Sequence, residues 1–139
     1  IGLLLGIVHI AGVAAFGTYE AWGAGLELEQ GPWTAGVRWL GSNNAWATGP
    51  GDYEAWEAGL VHQEGDWRIG IEAGWSSDDL SLTEGMSWLA GIGWDVNENV
   101  NLGVGWAVSE ADLPVAAGPG LSHRKARNDG LLVELSVRN

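Results

Sequence analysis

Apolar and polar residues alternate along most of the chain, so that every second position is apolar or aromatic. This period of two places apolar side chains on one face of an extended strand and polar or small side chains on the other. The pattern predicts an all-β chain of antiparallel strands. We expect the polar face to include charged residues set among glycines: Glu27, Arg38, Glu57, Arg68, Glu72, Asp95 and Glu134.

An internal repeat reinforces the strand prediction. The sequence YEAW at 19–22 and AGL at 24–26 recurs as YEAW at 53–56 and AGL at 58–60, and a weaker third copy begins at Trp88. Each copy has the length of one hairpin, so the repeat predicts a series of hairpins joined in chain order.

The first segment, residues 1–16, is apolar at both parities and fits either a helix or a strand. We favour a strand, because a strand buried on both faces reads as a continuous apolar run. Counting it gives about eight strands, which is the smallest closed barrel or half of a sixteen-stranded one.

Short and long connections alternate between the predicted strands. The short turns are at 30–32, 64–66 and 97–99, and the long loops are at 41–52, 76–84 and 109–128. Short turns at one end and long loops at the other are typical of an outer-membrane β-barrel, in which the apolar face meets lipid and the polar face lines a lumen. A soluble sandwich with the apolar face inside remains the alternative.

Tryptophan is unusually common for a soluble domain, with ten residues in the chain. The indole ring has an apolar body and one N–H donor, which suits the boundary between lipid and water. Trp33, Trp67 and Trp94 lie beside the short turns, and the others lie toward the long loops. We predict two aromatic girdles composed of Trp22, Trp33, Trp39, Trp56, Trp67, Trp75, Trp88, Trp94 and Trp106.

Composition excludes several other classes of protein. The formal net charge of −12 repels nucleic acid, and the absence of cysteine excludes a disulfide framework and a cysteine-based metal or redox site. We expect no cofactor and no metal. The apolar opening has neither a basic region nor an initiator Met, so it does not fit a signal peptide, and we expect a processed or truncated chain.

The charged residues of the polar face admit two interpretations. Arg38 and Arg68 are expected on successive strands of the same direction, near Glu57 and Glu72, where they would form part of a transverse field across a pore. The same residues would also fit an ion-pair network that fills a small barrel. In a pore, the excess of acidic residues predicts a mild preference for cations.

Two further features are candidate sites. The basic cluster at 123–127 is expected on an extracellular loop, where it either binds lipopolysaccharide phosphates or is solvated. His9, His62 and His123 prompt a search for hydrolytic chemistry, but His62 is expected on the outward face close to a short turn, and no serine lies at its height on its own or an adjacent strand. Because nucleophilic catalysis needs that pair, we expect no enzyme activity.

Three blocks, TYEAWGAGLELEQGPWTAGVRW, DYEAWEAGLVHQEGDWRIGIEAGW and the closing DGLLVELSVRN, resemble the C-terminal half of Gram-negative general porins. The resemblance extends over about residues 17–139. It implies that residues 1–139 form one transmembrane barrel domain, the C-terminal portion of a longer, sixteen-stranded porin.

The resemblance also implies a homotrimer in the bacterial outer membrane, surrounded by lipid and lipopolysaccharide, and passive diffusion of small polar solutes and ions. The chain departs from the family at its end, because Asn139 occupies the position of an outward aromatic residue. The alternative is a small closed eight-stranded barrel with a structural or adhesive role.

Overall fold

The computed structural model describes residues 1–14, 17–43, 51–117 and 120–137, which form one antiparallel sheet of eight strands. Neighbours in the sheet follow chain order, so the described part of the chain is a continuous series of hairpins. The strands are β1 (Gly2–Ala14), β2 (Gly17–Gln30), β3 (Trp33–Ser42), β4 (Tyr53–Glu64), β5 (Trp67–Asp78), β6 (Thr83–Asn97), β7 (Val100–Ala117) and β8 (Gly120–Val137). The predicted all-β class and strand number are confirmed, and residues 2–14 are a strand.

The register of the strands separates the side chains onto two faces. Directly opposed residues point to the same side of a sheet, and Trp39 opposes Trp56, which in turn opposes Trp75. We call this side the tryptophan face. Arg38 opposes Glu57 on the other side, which we call the glycine face. The parity predicted from the sequence is therefore present in the structure from β2 to β8.

Two-residue turns connect β2 to β3, β4 to β5 and β6 to β7 at one end of the sheet. Gly31 and Gly65 occupy the first turn position with φ of 59° and 58°, and among the described non-glycine residues only Leu82 has positive φ. A positive φ at the first position alone is the pattern of the type II′ hairpin turn. We call this end of the strands the turn end. It is where the sequence predicted tight turns.

At the opposite end of the strands, the connections differ from the three long loops that the sequence predicted. The connection from β5 to β6 is only residues 79–82, and β7 and β8 continue as a hairpin as far as residues 117 and 120. The prediction of a long loop at 109–128 is therefore wrong, and the basic cluster at 123–127 lies on β8. The connection from β3 to β4 spans residues 43–52, of which residues 44–50 are outside the described part of the chain.

Cross-strand charge pairs explain why this polar segment is a hairpin. Glu110 directly opposes Arg127, and the Arg127 Nη1 to Glu110 Oε1 distance is 2.9 Å. Asp112 opposes Lys125 in the next position of the same face. Opposite charges in facing positions stabilise a strand pair. The charges that suggested a loop in the sequence are thus part of the strand register.

The sheet has two open edges and almost no buried interior. Within the described residues β1 and β8 do not pair with each other, so closure into a barrel is not observed. Among the residues whose exposure the structure describes, only Ala21, Gly41 and Ser42 are buried. The accessible area is 9683 Å², whereas a compact monomer of this mass would expose about 6,900 Å². A large apolar surface is therefore uncovered in the isolated chain.

The described ranges contain no helix that is long and apolar enough to cross a membrane. Arg138 and Asn139 lie outside the described residues, so the expectation about the missing terminal aromatic residue concerns a part of the chain that the structure does not describe.

Candidate functional site

All seven charged residues predicted for the polar side lie on the glycine face. Three of them, Arg38, Glu57 and Glu72, form what we call the upper cluster. Arg38 Nε donates a hydrogen bond to Glu57 Oε2 across the β3–β4 pair, and Arg38 Nη2 lies 3.9 Å from Glu72 Oε1 on β5. One guanidinium therefore faces two carboxylates on three adjacent strands. The predicted association of these three residues is observed.

A second group, the lower cluster, lies nearer the turn end and consists of Arg68, Asp95 and Asn101. Arg68 Nη2 donates to Asp95 Oδ1 at 2.7 Å, and the Asn101 side-chain amide donates to the same oxygen. The prediction that Arg68 lies beside Glu57 and Glu72 is wrong. Asp95 is closer because its strand, β6, is the direct neighbour of β5 and brings it two residues from the position opposite Arg68.

The two clusters differ in exposure and in charge balance. The Arg38 side chain is 67% exposed and is shared by two carboxylates, whereas Arg68 is 39% exposed and is matched by Asp95 alone. The remaining predicted residues, Glu27 and Glu134, have no hydrogen-bond or ion-pair partner among the described residues. The glycine face therefore has more carboxylates than guanidinium groups.

Many of the residues between the two clusters are glycines. They form successive cross-strand pairs, each two residues nearer the turn end than the last: Gly6 with Gly25, Gly36 with Gly59, Gly70 with Gly91, and Gly93 with Gly103. We call these eight residues the glycine belt. On β5 the belt passes through Gly70, which lies between Arg68 and Glu72. The result is a strip with few side chains, bordered by the two charge clusters and by apolar residues such as Val61, which opposes Gly70.

Shallow grooves follow this strip on the glycine face. One, of about 370 Å³, is lined by Gly36 and Gly59, with Glu27, Arg38 and Glu72 around them. Another, of about 470 Å³, has Gly70, Gly91, Gly93, Gly103 and Gly105 in its lining, together with Arg68 and Glu134. Charged and apolar side chains therefore border both grooves, and Val61 lines each of them.

The tryptophans form two rows on the opposite face. The row farther from the turn end consists of Trp22, Trp39, Trp56, Trp75, Trp88 and Trp106. Trp39, Trp56 and Trp75 are direct cross-strand partners. Relative to them, Trp22 lies two residues farther from the turn end and Trp106 lies four residues nearer. The row thus descends by two plus four, or six, residues from β2 to β7.

The second row lies at the turn end and includes a histidine that sequence reasoning did not assign to it. Trp67 and Trp94 are stacked with ring centroids 5.4 Å apart, and the His62 ring lies 4.4 Å from that of Trp33. His62 fills the position on β4 between the tryptophans of β3 and β5. Its place opposite Trp33 could have been found by aligning the two strands across the loop.

Glu54 is a second residue that sequence reasoning missed. Its Oε1 accepts hydrogen bonds from the indole Nε1 of both Trp39 and Trp56, each at 2.9 Å. At the same edge of the sheet, His9 stacks on Trp22 with centroids 3.8 Å apart. The polar N–H groups of two indoles are therefore satisfied by a carboxylate beyond the row, while the rings lie against the apolar surface.

His62 lies close to Glu64 as well as to Trp33. His62 Nε2 lies 3.7 Å from Glu64 Oε2, and its buried Nδ1 has no hydrogen-bond partner among the described residues. The described part of the chain contains no group of three side chains that could hold a metal ion. Its contacts with Trp33 and Glu64 make His62 part of the tryptophan face.

Comparison with known proteins found no relative of this chain. No family model, no curated protein and no solved structure matches the chain. The class defined by the coordinates alone is an antiparallel eight-stranded sheet with one apolar, aromatic face and one glycine-rich face that carries two charge clusters.

Proposed function

We propose that the sheet is part of the wall of an outer-membrane β-barrel and that it lines a porin-like path for passive diffusion of small polar solutes and ions. The observation that carries the proposal is the difference in side-chain composition between the two faces from β2 to β8. Large apolar side chains are exposed on the tryptophan face, and charges lie among glycines on the other. Lipid would cover the first face, and water would fill the space beside the second.

The stagger of the tryptophan row supports this membrane orientation. The six-residue descent corresponds to roughly 20 Å at ~3.3 Å per residue, and the five strand spacings from β2 to β7 span about 24 Å. If the row follows a membrane surface, the strands are tilted by about 40° to its normal. Transmembrane barrel strands are tilted by about 35–45°. The turn-end row descends in the same direction, by two residues from Trp33 to Trp67.

The glycine belt gives a second, independent value of the tilt. It descends by three steps of two residues between Gly6 on β1 and Gly103 on β7. Six residues over six strand spacings give about 35°. Two sets of residues on opposite faces therefore follow nearly the same inclined line, which a membrane-parallel layering of the wall explains.

Planar-bilayer recording tests the conduction proposal. We expect the reconstituted native protein to conduct with a modest preference for cations, because the upper cluster has two carboxylates and one guanidinium. Replacing Glu57 and Glu72 together by glutamine should lower that preference. Folded protein that shows no channel events would contradict the proposal.

A matched control uses acidic residues at the strand ends away from the turn end. Asp78 and Asp79 lie at the β5–β6 connection, away from the upper cluster. Replacing them by asparagine should change the selectivity less, and the effect should disappear sooner as salt is added. Exposed charges are screened beyond about 8–10 Å at physiological ionic strength.

Membrane orientation can be tested separately from conduction. Leu60 lies on the tryptophan face and Glu57 on the glycine face of the same strand. A spin label at Leu60 should be more accessible to a lipid-soluble relaxation agent than to a water-soluble one. A label at Glu57 should show the reverse. Equal accessibility of both labels to both agents would contradict a membrane wall.

A small closed eight-stranded barrel with a structural or adhesive role is the second candidate. The observation that favours it is the local pairing of both arginines, Arg38 with Glu57 and Arg68 with Asp95. Such pairs would fill a narrow interior and leave no path for solutes. Absence of conduction together with the opposed accessibility of Leu60 and Glu57 would favour this candidate.

The proposed assembly follows the resemblance to general porins. A homotrimer in the outer membrane, with lipopolysaccharide around its outer edge, would cover part of the exposed tryptophan face. Cross-linking of the native protein in outer-membrane vesicles should then give a trimer. A monomer as the largest cross-linked species would exclude that assembly.

A further inference from the structure

We infer that the glycine belt is a water-filled section of the conduction path that separates the two charge clusters, so that a passing ion meets the upper and lower clusters one after the other. This inference rests on the proposed pore function and adds an internal arrangement to it. It assigns a role to glycines that backbone geometry does not require and that packing within the sheet explains only in part.

Backbone geometry does not explain the belt. Positive φ among the described glycines occurs at Gly31, Gly51 and Gly65, none of which belongs to the belt. Any residue can adopt the extended conformation of the belt positions. Glycine in a strand also weakens it, because it loses more conformational freedom on folding and has no side chain to pack.

Packing within the sheet explains only part of the belt. A Cβ added at Gly6 would meet no heavy atom within 4 Å, and at Gly36 and Gly59 the nearest atoms would be at 3.7 and 3.6 Å, which is ordinary contact. The approach is tighter at Gly70 and Gly91, at 3.2 and 3.1 Å. Most of the belt could therefore accommodate a side chain. The space above it is kept free for something outside the sheet.

Charge on the bordering residues indicates water and small cations as the occupant. Glu27 borders the groove over Gly36 and Gly59, Glu134 borders the next one, and neither has a protein partner among the described residues. An apolar segment seated on the belt would desolvate both carboxylates, which is unfavourable for ions that have no partner. A hydrated path leaves them solvated.

The belt also separates the clusters electrically. The shortest backbone route between them runs along β5 from Arg68 to Glu72, four residues and roughly 13 Å. This exceeds the Debye length of about 8 Å at physiological ionic strength. The clusters should therefore act as two independent filters at that salt concentration and as a coupled pair at low salt, where the Debye length is about 30 Å at 0.01 M.

The first test uses cysteine accessibility, because the chain has no cysteine of its own. In reconstituted Gly59→Cys protein, a water-soluble cationic methanethiosulfonate reagent should reduce the current in steps. The matched control is Ala58→Cys, the adjacent residue on the tryptophan face, where the reagent should leave the current unchanged. Gly36→Cys serves as a second belt variant if Gly59→Cys does not fold.

The outcomes separate the inference from the function on which it rests. If the unmodified protein does not conduct, the pore proposal fails and the inference falls with it. If it conducts but modification at Gly59 and Gly36 leaves the current unchanged, only the inference is overturned. Equal current loss at Ala58 and Gly59 overturns it as well, because the reagent would not distinguish the two faces.

The second test asks whether the filters are independent. Glu72→Gln and Asp95→Asn, alone and together, should change the reversal potential additively in about 0.15 M salt and non-additively in about 0.01 M salt. Gln and Asn preserve side-chain size at both sites. Non-additive changes at both concentrations would show one combined field and would overturn the assignment of two filters.

Discussion

The two faces of this sheet are built from the same strands and differ in how their side chains associate. On the tryptophan face neighbouring rings contact one another across the strands, as Trp67 and Trp94 do at 5.4 Å. On the glycine face the ion pairs of the described residues fall in two charge clusters, and many positions between them are glycines. Strict alternation thus lets one segment of chain present a continuous apolar surface and an open polar one.

The largest expected effect comes from placing a charge in the apolar surface at mid-strand. Leu102→Arg should lower the free energy of unfolding in bilayers by about 2–4 kcal/mol, because the guanidinium would lie near the hydrocarbon midplane. Gly103→Arg is the control on the glycine face, where the added side chain would lie beside Glu134. Equal losses in urea titrations of the two variants would show that the faces do not differ in environment.

A smaller effect is expected from removing one ring of the turn-end row. Trp67→Ala should cost about 0.5–1.5 kcal/mol beyond its loss of buried area, because it removes the stack on Trp94. Trp67→Phe retains an aromatic partner and should recover part of the loss. Unfolding midpoints of both variants in the same lipid provide the measurement. An unchanged midpoint for Trp67→Ala would indicate that the ring contact contributes nothing.

The smallest effect is expected at Glu54, whose carboxylate accepts from the indoles of Trp39 and Trp56. Glu54→Ala should cost about 0.5–1.5 kcal/mol, the usual net contribution of a hydrogen bond. Glu54→Gln retains an acceptor oxygen and should cost less. The emission maximum of the tryptophans gives a second readout, and identical spectra and stabilities of the two variants would argue against a role for this acceptor.

Sequence reasoning predicted the features that depend on local periodicity. The alternation assigned Trp39 and Trp56 to one face and Arg38 and Glu57 to the other, and the register confirms both assignments. Tight turns were predicted from the short connections at 30–32 and 64–66, and Gly31 and Gly65 adopt a positive φ there without steric cost. These features follow from the preferences of single residues and of their neighbours along the chain.

Features that depend on pairing between strands were harder to predict. The polar segment 109–128 resembled a loop because its charges are compensated only across the β7–β8 hairpin, as between Glu110 and Arg127. The predicted partners of Arg68 were also wrong. The position opposite Arg68 on β6 is a glycine, and Asp95 becomes close only through the register of β5 and β6. The glycine belt appears only when all strands are aligned.

The inclined glycine belt has a consequence for ring closure. It shifts by two residues for every two strands, so a circuit of eight strands would shift it by four steps of two, or eight, residues. A ring closed with that shear would bring Gly6 of β1 opposite Ser136 of β8. Cysteines introduced at these two positions would then form a disulfide within one chain in an eight-stranded ring, between two chains in a ring made of two copies, and not at all where other strands separate β8 from β1.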